Sequence, residues 1–166
     1  MPSDAREELR KEAERVEESS RYSSQTQFEY AKTWRRVDRW LGGTAALLAA
    51  IAGAGGLSEV MSPRWAGLIA LTAAGMGPVA TSLGAPKAKD RAYASATALL
   101  ALQQDARIFI NLDLNSLSDE EARDQLRTLV ARQQELSATA EIPSGRAWKR
   151  GKQNIESGGQ TYEADK

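Results

Sequence analysis

Side chains that could do chemistry are few in this chain, and their types are restrictive. It contains no cysteine and no histidine. A thiol nucleophile, a Ser-His-Asp triad, a thiolate or imidazole zinc site and a disulfide staple are therefore all excluded. The acids come in adjacent groups, Glu7–Glu8, Glu17–Glu18 and Asp119–Glu120–Glu121. They lie within mixed-charge helical patterns and lack the loop spacing of a calcium site, so they read as solvated helix faces or caps. The glycines at 53, 55 and 56 follow no strand, which rules out a P-loop or a dinucleotide fingerprint. With no charge in the long apolar stretches, active transport is disfavoured and only a passive pore is open to them, with the hydroxyls of Thr44, Thr72, Thr81 and Ser82 as candidate lining, though such hydroxyls commonly bond their own helix backbone. The pattern is not that of an enzyme, and it calls for no cofactor, no metal and no nucleic acid.

The elements around these residues carry more information. Lys plus Arg and Asp plus Glu balance at 22 each, yet residues 41–86 contain only Glu59 and Arg64. Two uncharged runs occupy that stretch, 41–58 (LGGTAALLAAIAGAGGLS) and 65–86 (WAGLIALTAAGMGPVATSLGAP). As helices they would extend roughly 27 and 33 Å, close to a bilayer hydrocarbon thickness of about 30 Å. The linker SEVMSPR is short enough to force an antiparallel hairpin. The expected fold is all-α: a two-transmembrane-helix hairpin (41–86) flanked by cytoplasmic helices. An N-terminal amphipathic helix covers 1–40, and a C-terminal helical region with a Gly-rich polar tail covers 87–166.

Competing with this is a soluble hairpin, because the first run holds four Leu and one Ile against six Ala and five Gly. Three features favour the membrane. Arg35, Arg36 and Arg39 precede the first run, Lys87, Lys89 and Arg91 follow the second, and the connecting loop has Arg64 alone, the positive-inside arrangement with both termini cytoplasmic. Trp34, Trp40 and Trp65 stand near the run ends, where an aromatic belt belongs. Finally, both runs segregate by bulk at helical spacing. Gly42, Ala45, Ala49, Ala52, Gly53 and Gly56 oppose Leu47, Leu48 and Ile51. Ala66, Ala70, Ala74, Gly77, Thr81 and Gly84 oppose Leu68, Ile69, Met76, Val79 and Leu83. In lipid, close backbone approach through small residues drives helix association; these faces predict hairpin packing and a homo-oligomer. Pro78 is expected to kink the second helix, as a hinge, a gate or simply a packing device.

Outside the hairpin, the pairs Ser19–Ser20 and Ser23–Ser24 mark a candidate break in the N-terminal helix. Leu99, Leu100, Leu102, Ala106, Phe109 and Ile110 share one broad face, with a break expected around Asn111–Asn115. Ser118 with Glu121 is a capping-box signature, opening a helix that seats Ala122, Leu126, Leu129, Gln133 and Leu136 on a seam and ends by Pro143. A short helix near Arg146–Ile155 follows.

The order AKTWRRVDRWLG, hairpin, APKAKDRA, LLALQQDARIFI and IPSGRAWKRGKQNIESGGQTY resembles the SLATT family, two-transmembrane effectors associated with nucleotide-generating and nucleotide-sensing conflict systems in bacteria. The resemblance runs from about Phe28 to Tyr162 and rests on the order, with Trp34, Arg107, Phe109, Pro143, Trp148 and Gly158 at its landmarks. It implies a pore-forming or membrane-depolarising effector of the bacterial inner membrane. Such an effector is silent until a nucleotide second messenger, or a partner that senses or synthesises one, triggers it. Arg107, Phe109 and Trp148 are then candidates for the signal or partner contact. A membrane adaptor whose soluble helices recruit a partner is the alternative function.

Overall fold

A computed structural model describes residues 2–57 and 62–158. All regular structure there is helical: α1 Pro2–Leu57, α2 Pro63–Ser82, α3 Ala85–Ile108, a π-helical turn Phe109–Asp113, α4 Asp119–Thr139 and α5 Gly145–Glu156. Two compact units result, Met1–Tyr30 with Arg91–Lys166, and Ala31–Asp90. The expected linker falls largely on 58–61, and the polar tail on 159–166; both lie outside the described residues.

Two expected boundaries differ. The serine pairs do not break α1, which runs on through Gly42 and Gly43 for 56 residues. Ser20 and Ser24 are instead fully buried, and Ser24 Oγ donates to the Arg21 carbonyl at 3.0 Å. Small side chains there let neighbouring helices come close. A glycine inside a helix costs only about 1 kcal/mol relative to alanine, which the Ala-rich continuation offsets. The second apolar run also stops earlier than 86. Gly84 adopts φ +65°, Leu83 N–H donates to the Val79 carbonyl at 3.0 Å, and Gly84 N–H to that of Thr81 at 3.0 Å. A left-handed residue at a helix end is where glycine is favoured, so Gly84 serves as a cap and α3 begins at Ala85.

The first unit has a conventional core. Ala13 and Val16 of α1, Leu102 and Ala106 of α3, Phe109 and Ile110 of the π turn, Leu114, and Ala122, Leu126 and Leu129 of α4 form one buried cluster. The π turn closes with Leu114 N–H on the Phe109 carbonyl at 2.9 Å. Beyond it Ser118 and Glu121 form the full capping box of α4. Arg6 ties the start of α1 to this corner: Nε donates to Asp119 Oδ1 at 2.8 Å, Nη1 to the Leu114 carbonyl at 3.2 Å and Nη2 to the Leu117 carbonyl at 3.0 Å.

Helix α5 closes on α1 through Gly151, where an added Cβ would stand 2.9 Å from Thr26 N and Oγ1. Asn154 Nδ2 donates to Gln25 Oε1 at 2.8 Å beside that contact. Arg132 pairs with Asp105 at 2.6 Å across α4 and α3.

The second unit has little core. Ala31, Ala52, Ala73 and Ala85 are its buried apolar residues among those described, while Trp40, Leu47, Ile51, Trp65, Leu68, Leu71, Val79 and Leu83 are exposed. One helical stretch, Pro63–Asp113, is long and apolar enough to cross a membrane: it contains an 18-residue window of mean hydropathy 1.4, of which 11% is buried. It is the one candidate span found among the described residues. The expected pair of spans is thus supported as an all-α chain with one candidate span.

Candidate functional site

The C-terminal part of α1 and helix α2 face each other through small residues. Gly56 and Ala66 come within van der Waals reach, a Cβ at Gly56 standing 3.8 Å from the Ala66 Cβ. Ala52 and Ala73 are buried, at 7% and 8% exposure. Between the helices lies an open groove of about 710 Å³, walled by Ala45, Ala49, Gly53, Ala66, Ala70 and Ala74 together with Ala46, Ala52, Gly67 and Ala73. It has no charged side chain in its walls. A methyl group added at Gly53 or Gly77 would meet nothing within 4 Å.

Of the residues picked out from spacing, Ala45, Ala49, Gly53, Ala70 and Ala74 are brought together on the groove, and Gly56 at its close approach. Gly77, Pro78 and Thr81 are exposed, do not wall it, and lie further along α2. Pro78 sits inside α2, where it has no N–H to give the Ala74 carbonyl. The hydroxyls turn inward on their own helices: Thr44 Oγ1 donates to the Trp40 carbonyl at 2.7 Å, Thr72 to Leu68 at 2.9 Å and Thr81 to Gly77 at 3.1 Å.

The flanking cations are only partly free in solvent. Arg35, Arg36, Arg39 and Lys87 are exposed. Lys89 Nζ lies 3.6 Å from Asp38 and 3.7 Å from Asp90. Arg91, in the first unit, reaches Glu141 at 3.4 Å.

The three candidates for a signal contact are not gathered into one place. Phe109 is fully buried in the core of the first unit. Arg107 is half-buried and already engaged by another group of the chain. Trp148 is half-exposed on α5, with Lys152 Nζ 5.5 Å from its ring centroid. It borders a cleft of about 290 Å³ whose lining includes Tyr22, Thr26, Gln27, Glu141 and Ile142. Gln27, itself buried, donates from Nε2 to the Glu141 carbonyl at 2.7 Å.

Sequence reasoning missed this cleft, Gly151 and Arg6. The cleft joins residues more than a hundred positions apart. Arg6 looks like any helix-face charge, and a lone glycine in a basic helix carries no packing signature. Among the described residues, the titratable group displaced from its ordinary range is Glu121. Its carboxylate accepts from the Ser118 side chain and backbone, which lowers its pKa.

No known protein family, characterised protein or solved structure matches the chain.

Proposed function

We propose that the chain is a membrane effector. Its hairpin, the end of α1 plus α2, spans the bacterial inner membrane as two helices with both termini cytoplasmic. It assembles into a homo-oligomer that depolarises the membrane when a nucleotide second messenger, or its sensor, signals infection. The observation that carries this reading is the inverted second unit. Trp40, Leu47, Ile51, Trp65, Leu68, Leu71, Val79 and Leu83 are exposed, while the buried apolar residues described there, Ala31, Ala52, Ala73 and Ala85, are all alanines. A water-soluble protein seldom exposes this many large apolar side chains on one unit; in hydrocarbon, bulky groups outside and small groups between helices are the stable arrangement. Trp40 and Trp65, 76% and 65% exposed, suit the two interfaces. The groove is open and walled by alanine and glycine, the small residues that let a neighbouring helix approach closely in lipid, which supports assembly between copies. The conflict-system role comes from the resemblance of the chain's motif order to SLATT effectors.

A second reading has its own support. With Thr44, Thr72 and Thr81 bonded to their own carbonyls, the hairpin offers few polar groups to line a conducting path. That favours an anchor whose helical unit recruits a partner.

The deciding experiment is inducible expression with a candidate nucleotide-producing partner, following membrane potential by dye alongside colony survival. The effector reading expects depolarisation and growth arrest when both proteins are present. Full accumulation in the membrane with an unchanged potential, in the presence of the partner and its signal, leaves the anchor reading.

A further inference from the structure

Helix α5 departs from the charge balance of the whole chain. The chain holds 22 basic and 22 acidic residues, yet α5 carries Arg146, Lys149, Arg150 and Lys152 against Glu156 alone. At about 100° per residue, Ala147, Gly151 and Ile155 fall on one side, and these three are buried. The four cations and Trp148 occupy the remaining arc, and all five are exposed. A merely solvated face would be expected to hold mixed charge and no large apolar group. Here Trp148 is half-exposed at the edge of the cationic arc, between buried Ile155 and Lys152, and Glu156, 3.6 Å from Lys152 Nζ, is the one acid in it. Ile142, 90% exposed, borders the same cleft as Trp148. Lys152 lies over the indole ring, keeping cation and aromatic together.

A cationic helix face bordered by an outward tryptophan, with an exposed isoleucine beside the helix, matches the chemistry of an anionic bilayer surface. There phosphates take the cations, and Trp and Ile enter the headgroup boundary. Nucleic acid would also attract the cations, but it gives no place to an exposed isoleucine.

We propose that the solvent-facing side of α5, with Ile142 beside it, docks on an anionic membrane surface through Arg146, Lys149, Arg150, Lys152, Trp148 and Ile142. The docking rests on the membrane placement proposed above and not on pore formation. It would hold the helical unit against the leaflet and make its position depend on lipid charge and ionic strength.

The absence of cysteine allows a single spin label on the full-length chain, through Ile142→Cys, with Gln134→Cys on the exposed side of α4 as control. The protein is reconstituted in nanodiscs of phosphatidylcholine alone or with three-tenths phosphatidylglycerol. Collisional accessibility to oxygen and to a water-soluble nickel complex is then read for each label. Retention in both discs reports insertion separately, so a chain that fails to insert is distinguished from one whose α5 fails to dock.

The expected result is an Ile142 label shifted to the oxygen-accessible phase only with phosphatidylglycerol, and a Gln134 label wet in both. Lys149→Glu with Arg150→Glu, both exposed, should lower the docking equilibrium constant about 25-fold, as two interactions of about fivefold each imply. A label that stays wet in both discs overturns the proposal. So does a label immersed equally in both lipids regardless of the charge reversals. A wet label combined with charge-dependent binding of a fluorescent oligonucleotide overturns it in favour of nucleic acid.

Discussion

Replacing Gly151 by alanine should loosen α5 from α1. The added methyl would lie 2.9 Å from Thr26 N and Oγ1 and 3.0 Å from its Cα. Two of those three atoms are backbone, so no rotamer of Thr26 relieves the contact and one helix must move. Overpacking of this kind costs about 1–3 kcal/mol, and removing a mid-helix glycine returns about 0.5–1 kcal/mol. The net loss lies between about 0 and 2.5 kcal/mol and centres near 1 kcal/mol. For a domain of about this size that corresponds to a drop of roughly 2–8 °C in Tm. Amide exchange should speed up across α5 while the α4 core stays protected. Gly145 is the internal control, since a methyl there meets nothing within 4 Å, and Gly145→Ala should be neutral or stabilising. A Gly151→Ala protein that melts with or above wild type, with unchanged exchange in α5, refutes the close approach. Thr26→Ala added to Gly151→Ala should recover only part of the loss, because the backbone contacts persist.

Other consequences follow from the same structure. Arg6→Gln should destabilise the first unit by about 1–2 kcal/mol, as loss of a charged, half-exposed hydrogen-bond hub implies, while Arg10→Gln on the same helix changes Tm little. Ser118→Ala removes the α4 side-chain cap and should cost about 1 kcal/mol, visible in thermal denaturation. Glu121's folded pKa is lowered, so its stabilising contribution is present above the unfolded carboxylate pKa. It fades as pH falls through the folded value, and the Ser118→Ala protein should show a flatter acid limb below about pH 4.3. Gly53→Ile should leave the hairpin intact, because open space surrounds that position. If copies pack in the groove, the same change should reduce crosslinked oligomer in detergent, and Leu47→Ile should not.

How much could be read beforehand depends on how local each cause is. The helical class, the α4 capping box and the approximate limits of α5 follow from spacing within a few residues, and the sequence shows them. The meeting of small faces across α1 and α2 was also legible, since Ala45, Ala49 and Gly53 recur with helical period opposite Leu47 and Ile51. What was illegible depends on long-range contacts. The serine pairs in α1 looked like a break because small polar residues favour turns in isolation; in the fold Ser20 and Ser24 are buried spacers. Gly84 belonged by period to the small face of the second run, but its backbone takes the left-handed cap. Phe109 looked available to a partner, whereas its apolar ring sits in the core, where burial stabilises it most.

The proposed function requires above all that the hairpin cross the membrane with both ends on the cytoplasmic side. Since the chain has no native cysteine, single substitutions at exposed sites read the topology directly: Ser62→Cys beside the hairpin loop, and Ser19→Cys and Ser157→Cys in the first unit. Intact cells are treated with a membrane-impermeant maleimide, then lysed and treated again. The prediction is labelling of Ser62→Cys in intact cells, with Ser19→Cys and Ser157→Cys labelled only after lysis and all three chains resistant to carbonate extraction. Labelling of Ser19→Cys or Ser157→Cys in intact cells, or release of the chain by carbonate, would contradict it.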